Sequence, residues 1–178
     1  MALIETVKVN DAQGIIKDGY KMFMENVGIV PKPMEMMSVS PALFEMGLKR
    51  IEYYSNHPKL SFPLLAHIRY LAAHSLDYGF CMDFNKEVLK KLGVEEDQFK
   101  EMETDPSKSM LEKHDSAMLS FVVKSIKSPN SVTEGDIKAL KDLGWEDLDM
   151  VDALSQGVSM IDHSIMMQVF QMDPNCLI

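Results

Sequence analysis

Five side chains between residues 67 and 85 carry functional groups that could act together in proton and thiol chemistry: His67, His74, Tyr78, Cys81 and Asn85. If this stretch were one continuous helix, turning by about 100° per residue, the five would lie within an arc of about 60°. A thiol beside two imidazoles, a phenol and an amide would form a proton relay to a thiolate. Histidine is the natural relay group, because it gains and loses a proton near neutral pH.

A second arrangement of the same stretch places a joint between two helices at Asp77-Tyr78-Gly79. Cys81 would then lie in the first turns of a helix, where the positive end of the helix dipole lowers the pKa of a thiol. Unreactive alternatives remain open, because a cysteine or tyrosine in an apolar helix is commonly a core residue and both histidines could be satisfied core or surface groups. Arg69 would be solvated or ion-paired, or would bind a carboxylate if a site lies here.

Motifs for other kinds of chemistry do not occur in the sequence, which has no Gly-rich phosphate loop, no H-E-x-x-H and no G-x-S-x-G. Its two cysteines, Cys81 and Cys176, are 95 positions apart and form neither a C-x-x-C pair nor a zinc pattern. The 16 methionines are scattered among periodic apolar positions, as adaptable core residues are. We therefore expect no metal, no cofactor and a reducing, cytoplasmic location.

Length and charge limit the remaining classes of function. With 178 residues, of which 46% are hydrophobic and 25% charged, the chain can form a single domain over residues 1–178 without a disulfide or metal. The net charge of −9 argues against binding to nucleic acid or to an anionic membrane surface. No apolar run approaches the ~20 residues of a membrane span, and the first residues lack the features of a signal peptide. We expect neither a nucleic-acid nor a membrane partner.

Helix start and stop signals dominate the chain and predict an all-α fold, since no segment alternates between apolar and polar residues as a strand does. A proline after Ser40 marks a helix start, Gly93 and Gly144 mark helix ends, and Thr133 with Asp136 forms a start similar to a capping box. The predicted helices cover roughly residues 12–26, 41–55, 62–76, 78–92, 110–126, 137–143 and 148–172.

The order of these signals is similar to that of a known family. Val30-Pro31 precedes the helix that Ser40-Pro41 opens, the block from His67 to Gly93 follows, and V-T-x-x-D-I-x-x-L-x-x-L-G at residues 132–144 precedes an acidic turn and a long helix. Over about residues 25–172 the chain resembles the AhpD-like, carboxymuconolactone decarboxylase superfamily, and its peroxidase-related branch above all. The resemblance implies an AhpD-like helical bundle of about seven to eight helices.

The redox centre of that family is C-x-x-C-x-x-x-H, with a glycine 12 positions after the second cysteine and a glutamate on the preceding helix. Gly93 lies 12 positions after Cys81, so the resemblance places Cys81 at the second, peroxide-facing cysteine. Tyr78 then stands in place of the first cysteine and Asn85 in place of the histidine. The glutamate position falls at Ala66, or at His67 if one residue is missing between the helices. Without a second cysteine, the family's intramolecular disulfide cannot form.

Three functions follow from the residues and the resemblance. In the first, an alkylhydroperoxidase-like antioxidant protein reduces peroxide through Cys81 and an external thiol, and His67 or His74 supplies the base. In the second, a non-redox enzyme of the decarboxylase type binds a small carboxylated lactone through His67, Arg69, His74 and Tyr78. In the third, the chain keeps the fold as an inactive binding protein. An active enzyme of the first kind would be a peroxiredoxin-type oxidoreductase with a thiol and a peroxide as substrates.

Association is a further expectation from the resemblance, because members of the family assemble as dimers, trimers or hexamers through helical faces. The apolar and methionine content at helical spacing agrees with a large buried interface. We expect a homo-oligomer.

Overall fold

The structure is a computed structural model that describes residues 2–75 and 79–172, with residues 79–81 described by their backbone alone. Every regular element in these ranges is helical, which confirms the all-α prediction. Of three short 3₁₀ turns, Val9–Asp11 precedes the first α-helix, and Pro106–Lys108 and Pro129–Ser131 connect α-helices. The α-helices are α1 (Gly14–Asn26), α2 (Lys32–Met37), α3 (Pro41–Ser55), α4 (Phe62–Ser75), α5 (Gly79–Lys91), α6 (Glu96–Thr104), α7 (Lys113–Lys127), α8 (Glu134–Asp142) and α9 (Asp147–Val169).

The helix signals in the sequence are confirmed at most of the predicted boundaries. Gly93 and Gly144 follow α5 and α8 with φ values of +93° and +94°, a left-handed conformation that glycine adopts without a Cβ clash. Thr133 and Asp136 form the capping box of α8, each side chain accepting a hydrogen bond from the backbone N–H of the other. Within the described ranges eight helices have nine residues or more, in agreement with the predicted seven to eight; α2 is the short addition.

The chain divides into two compact units. The first unit combines the described residues up to His57 with those from Ile165 onward. Its core contains Tyr20, Phe23 and Phe44, all buried, and the Tyr20 hydroxyl donates a hydrogen bond to the backbone carbonyl of Val7. The prediction of a single domain over residues 1–178 stays a prediction.

The second unit, Pro58–Ser164, contains α4 as its most buried helix. Nine of the 14 residues of α4 are buried, so apolar side chains surround almost the whole helix. Helices α5 and α7 both pack against it. Because only three residues separate the end of α4 from the start of α5, the two helices form an antiparallel pair.

No helix in the described parts of the chain is both long enough and apolar enough to cross a bilayer. The longest, α9, has 23 residues, of which Asp149 and Asp152 are among the acidic members.

Close packing of α9 against α7 predicts a specific cost for a small substitution. A Cβ added at Gly157 would lie 2.8 Å from both Ile126 Cδ1 and Val122 Cγ1, whereas one at Gly135 in α8 would meet only Thr133 Oγ1, at 3.5 Å. Overpacking costs about 1–3 kcal/mol, and replacing a helical glycine by alanine returns only about 0.5–1 kcal/mol. We expect G157A to lower the free energy of unfolding in urea by about 1 kcal/mol, and G135A, the matched control, to leave it unchanged or raise it. Equal stabilities of the two variants would contradict this close packing.

Candidate functional site

The break between α4 and α5 decides between the two arrangements considered for residues 67–85. Arg69 Nε, on α4, donates a hydrogen bond to Asn85 Oδ1, on α5, over 3.0 Å. On one continuous helix these residues would be about 24 Å apart along the axis, since each residue rises 1.5 Å. The single-helix interpretation, with its shared stripe of five side chains, is therefore wrong. A joint fits instead, because α4 ends at Ser75 and α5 begins at Gly79.

Asn85 and Arg69 form the polar contact between the two helices. Asn85 is buried, with 2% of its surface exposed, so its amide needs a hydrogen-bonding partner inside the protein. Arg69 is half-buried, and its guanidinium carbon lies 5.8 Å from the centre of the exposed Phe62 ring, in the geometry of a cation–π contact. The site therefore brings a fixed positive charge to the residue that the resemblance places at the histidine position.

The side chain of His67, on α4, is buried in the protein interior. Its Nδ1 lies 2.8 Å from the carbonyl oxygen of Pro63, so Nδ1 carries the proton and donates it. The other nitrogen, Nε2, is buried and has no hydrogen-bonding partner among the described residues. Burial lowers the pKa of His67, while the Pro63 carbonyl and the charge of Asp115 oppose the shift. The ring is therefore a neutral imidazole at pH 7.

His74 lies seven residues further along α4 and has a different environment. Its Nε2 is 3.7 Å from Glu103 Oε2, and about a third of the side chain is exposed. The other carboxylate oxygen of Glu103 accepts a hydrogen bond of 2.5 Å from the Tyr70 hydroxyl. Burial of Tyr70, together with this carboxylate, raises the pKa of the phenol, so Tyr70 remains a proton donor that orients Glu103. The Tyr70 ring stacks on the His74 ring, with their centres 6.3 Å apart.

The antiparallel pairing of α4 and α5 determines which histidine is nearer to Cys81 along the helix axes. Two residues of the pair are called level when they have the same position along these axes. Arg69 lies six residues before the end of α4, and Asn85 lies six residues after the start of α5, so the hydrogen-bonded pair and the helix ends give the same alignment. Cys81, two residues after Gly79, is then level with Ala73 and next to the level of His74. His67 lies six residues before Ala73, or about 9 Å along the axis.

The predicted site residues are therefore distributed over several environments. His74 and Asn85 flank the level of Cys81, which is the third residue of α5, whereas His67 is enclosed nearer the start of α4. Tyr78 lies outside the described residues, as does the side chain of Cys81. Sequence reasoning missed Glu103, which lies in a helix that was not predicted. Arg69 was considered as a solvated or ion-paired group or as a carboxylate-binding one, and its hydrogen bond to Asn85 was not predicted. The described residues contain no group of three or more His, Cys, Asp or Glu arranged to hold a metal.

Comparison with known proteins gives evidence on the fold. No family model matches the sequence, and no curated protein is similar enough to match. Among solved structures, an uncharacterized peroxidase-related protein from Silicibacter sp. TM1040 superimposes with a TM-score of 0.78 at 14% identity, covering 98% of this chain and 92% of that one. The alkylhydroperoxidase AhpD core structure of an uncharacterized peroxidase-related protein from Ralstonia eutropha JMP134 has a TM-score of 0.72 at 16% identity, covering 98% and 93%. The chain therefore has the AhpD-like fold of these peroxidase-related proteins.

Proposed function

We propose that this protein reduces a peroxide through the single thiol of Cys81 and is recycled by an external low-molecular-weight thiol. The observation that carries the proposal is the Arg69–Asn85 hydrogen bond, which holds a guanidinium against the residue four positions after Cys81 on α5. Four residues are one helical turn, about 6 Å. A nearby cation and a position in the first turn of a helix both favour a thiolate over a thiol.

The proposed cycle needs one cysteine and two equivalents of thiol. The Cys81 thiolate attacks one peroxide oxygen; an S–O bond forms, the O–O bond breaks, and the leaving oxygen takes a proton to give an alcohol or water. A first thiol attacks the sulfenic acid, forming a mixed disulfide and releasing water. A second thiol attacks this disulfide, releases an oxidised thiol pair and restores the Cys81 thiolate. Peroxide is reduced and two thiols are oxidised, so electrons balance without a second cysteine in the chain.

We assign the proton transfer to His74 and exclude His67 from this role. His74 is beside the level of Cys81 on the neighbouring helix, is partly exposed, and has the Glu103 carboxylate next to its ring. A carboxylate next to an imidazole holds the ring in one orientation. His67 is enclosed and neutral, and its Nδ1 already donates a hydrogen bond to the Pro63 carbonyl. It lies about 9 Å along α4 from the level of Cys81.

A second function is supported by the surroundings of Arg69. Its guanidinium lies over the exposed Phe62 ring, next to the Asn85 amide, an arrangement that can also bind a small carboxylate. A non-redox binding protein or lactone enzyme would use this cation and would not need the Cys81 thiol.

Reactivity of Cys81 separates the two functions. In a C176S background, we expect the rate of Cys81 alkylation to follow a pKa below the ~8.5 of a free thiol, and hydrogen peroxide to abolish labelling until a thiol is added. R69Q should raise this pKa, because it removes the charge and replaces the guanidinium with a neutral amide that can still donate a hydrogen bond. Labelling only after unfolding would reject the redox function. Stabilisation of C81S by small carboxylates, lost in R69Q, would then support the second function.

Substitution of His74 tests the assigned proton donor. We expect H74Q to slow peroxide consumption at pH 7 by about 10²-fold or more, the range in which general acid catalysis contributes, and to leave alkylation of Cys81 measurable. The matched control is H67N, whose amide can still donate to the Pro63 carbonyl. If H67N lost as much activity as H74Q under conditions where both are folded, the assignment to His74 would be wrong.

Acid stability tests the structural role of His67. Burial lowers its pKa in the folded state, so the unfolded chain takes up a proton more readily. The contribution of neutral His67 is therefore complete above the ~6.5 of a free imidazole and is lost as the pH falls below it. Between pH 6.5 and 5.5 we expect urea unfolding of the wild type to lose more free energy than that of H67N, by at most about 1.4 kcal/mol per pH unit. Equal slopes for wild type and H67N would contradict the burial.

A further inference from the structure

Methionine side chains attach the short helix α2 to the first unit. Three of its six residues are methionines, Met34, Met36 and Met37, and the first two are buried, with 6% and 2% of their surface exposed. A helix of six residues is too short to be stable in water by itself, so α2 depends on its packing against the rest of the unit. Met34 belongs to the core of that unit, and the partly buried Met37 packs against the same core.

Two of these methionines converge on one glycine of α3. Met34 and Met37 are three residues apart and therefore lie on the same face of α2. A Cβ added at Gly47 would lie 3.1 Å from Met34 Sδ and 3.3 Å from Met37 Sδ, closer than an ordinary van der Waals contact of about 3.5–4.0 Å. Both sulfur atoms thus fill the notch that the glycine leaves in α3, and no space remains there for a further atom.

Met37 differs from the other two methionines of α2 in its access to solvent. Met34 and Met36 are buried, whereas the side chain of Met37 is half-buried. An oxidant has to touch the sulfur atom in order to react with it, so a small oxidant from solution reaches Met37 before it reaches the other two. Met37 is therefore the more accessible of the two sulfurs that pack against Gly47.

Hydrogen bonds attach Thr6 and Val7 to the same helix. Thr6 Oγ1 donates a hydrogen bond of 2.8 Å to Glu35 Oε1, on α2. The backbone N–H of Val7 donates a hydrogen bond of 3.0 Å to the Oγ of Ser38, the residue that follows α2, and this Oγ donates in turn to the carbonyl oxygen of Glu35. Both attachments end on one turn of chain, so they keep their geometry only while α2 is folded and packed.

We propose that Met37 is a site of reversible oxidation and that its sulfoxide releases Thr6 and Val7 from α2. The Met37 sulfur attacks one oxygen of a hydroperoxide; an S–O bond forms, the O–O bond breaks, and the hydroperoxide leaves as an alcohol or water. The sulfur loses two electrons and the peroxide gains them. The polar sulfoxide cannot be buried against Gly47 without losing its hydrogen bonds to water. Met37 therefore leaves this contact, and α2 loses the packing on which it depends.

Reduction of the sulfoxide restores the contact. Methionine sulfoxide reductases catalyse this step, in which the S–O bond breaks, two thiols are oxidised to a disulfide, and water is released. The thioether of Met37 is then apolar again and can return to the notch at Gly47. This cycle requires neither the Cys81 thiol nor the peroxide reduction proposed above.

Peptide mass spectrometry tests the site of oxidation. The full-length C81S/C176S protein is suitable, because it has no thiol that competes for the oxidant. After treatment with hydrogen peroxide we expect an added oxygen on Met37 and on the exposed Met24, and none on the two buried methionines of α2. Oxidation of the buried pair as early as Met37, or oxidation of Met37 only in urea, would overturn the proposal.

Hydrogen exchange at the Val7 amide, followed by nuclear magnetic resonance, tests the consequence. After oxidation of the cysteine-free protein, we expect this exchange to be at least about tenfold faster, the change expected when a buried group becomes polar without a hydrogen-bonding partner. Reduction by a methionine sulfoxide reductase and a thiol should restore slow exchange. Unchanged exchange after oxidation of Met37 would reject the release, and fast exchange that persists after reduction would contradict its reversibility.

The matched control is M37L in the same cysteine-free protein. Leucine keeps an apolar side chain of similar volume and has no sulfur to oxidise. Peroxide still oxidises the exposed Met24 and Met46 of this variant, so the control separates Met37 from general oxidation of the surface. We expect exchange at Val7 to be unchanged by peroxide in M37L. Equal acceleration in M37L and in the protein that retains Met37 would show that another methionine is responsible and would reject the assignment.

Discussion

The buried amide of Asn85 constrains how the central helices pack. A buried amide costs free energy unless its hydrogen bonds are made inside the protein, and the guanidinium of Arg69 provides a donor 3.0 Å away. The contact acts between helices joined by only three residues, so it fixes their alignment as well as their separation. Where the resemblance places a histidine, a neutral acceptor stands here. A protonated imidazole at that position would be repelled by Arg69, so the asparagine and the arginine depend on each other.

The two histidines of α4 also differ in their environments. His67 and His74 are seven residues apart and point to nearly the same side of α4, yet one is enclosed and the other reaches Glu103. Burial lowers the pKa of His67 and so removes its charge, whereas His74 lies beside the Glu103 carboxylate and is partly exposed. The proton transfer that we propose for His74 therefore involves a residue of α6, which lies outside the motif that the resemblance suggests.

The sequence predicted local features well and contacts between helices poorly. Gly93, Gly144 and the Thr133–Asp136 box act within one turn of chain, so their signals are complete in the sequence. Helix α6 was missed because its capping box begins at Glu95, which is not one of the residues typical of that position. The site could be predicted only in part for the same reason. The thiol, the imidazoles and the amide are visible in the sequence as residue types. The pairing of Arg69 with Asn85, and of Glu103 with His74, is a property of the packed helices alone.

Helix α9 has different residue types on its buried side and on its exposed side. The residue types differ between them: the buried side uses methionine, alanine and glycine, which adapt to the irregular surface of α7 and its neighbours, whereas the exposed side uses mainly valine, isoleucine and leucine. The side already buried in the fold is thus built for adaptation. That adaptation has a limit at Gly157, where an added Cβ would lie 2.8 Å from Val122 Cγ1 and Ile126 Cδ1 of α7.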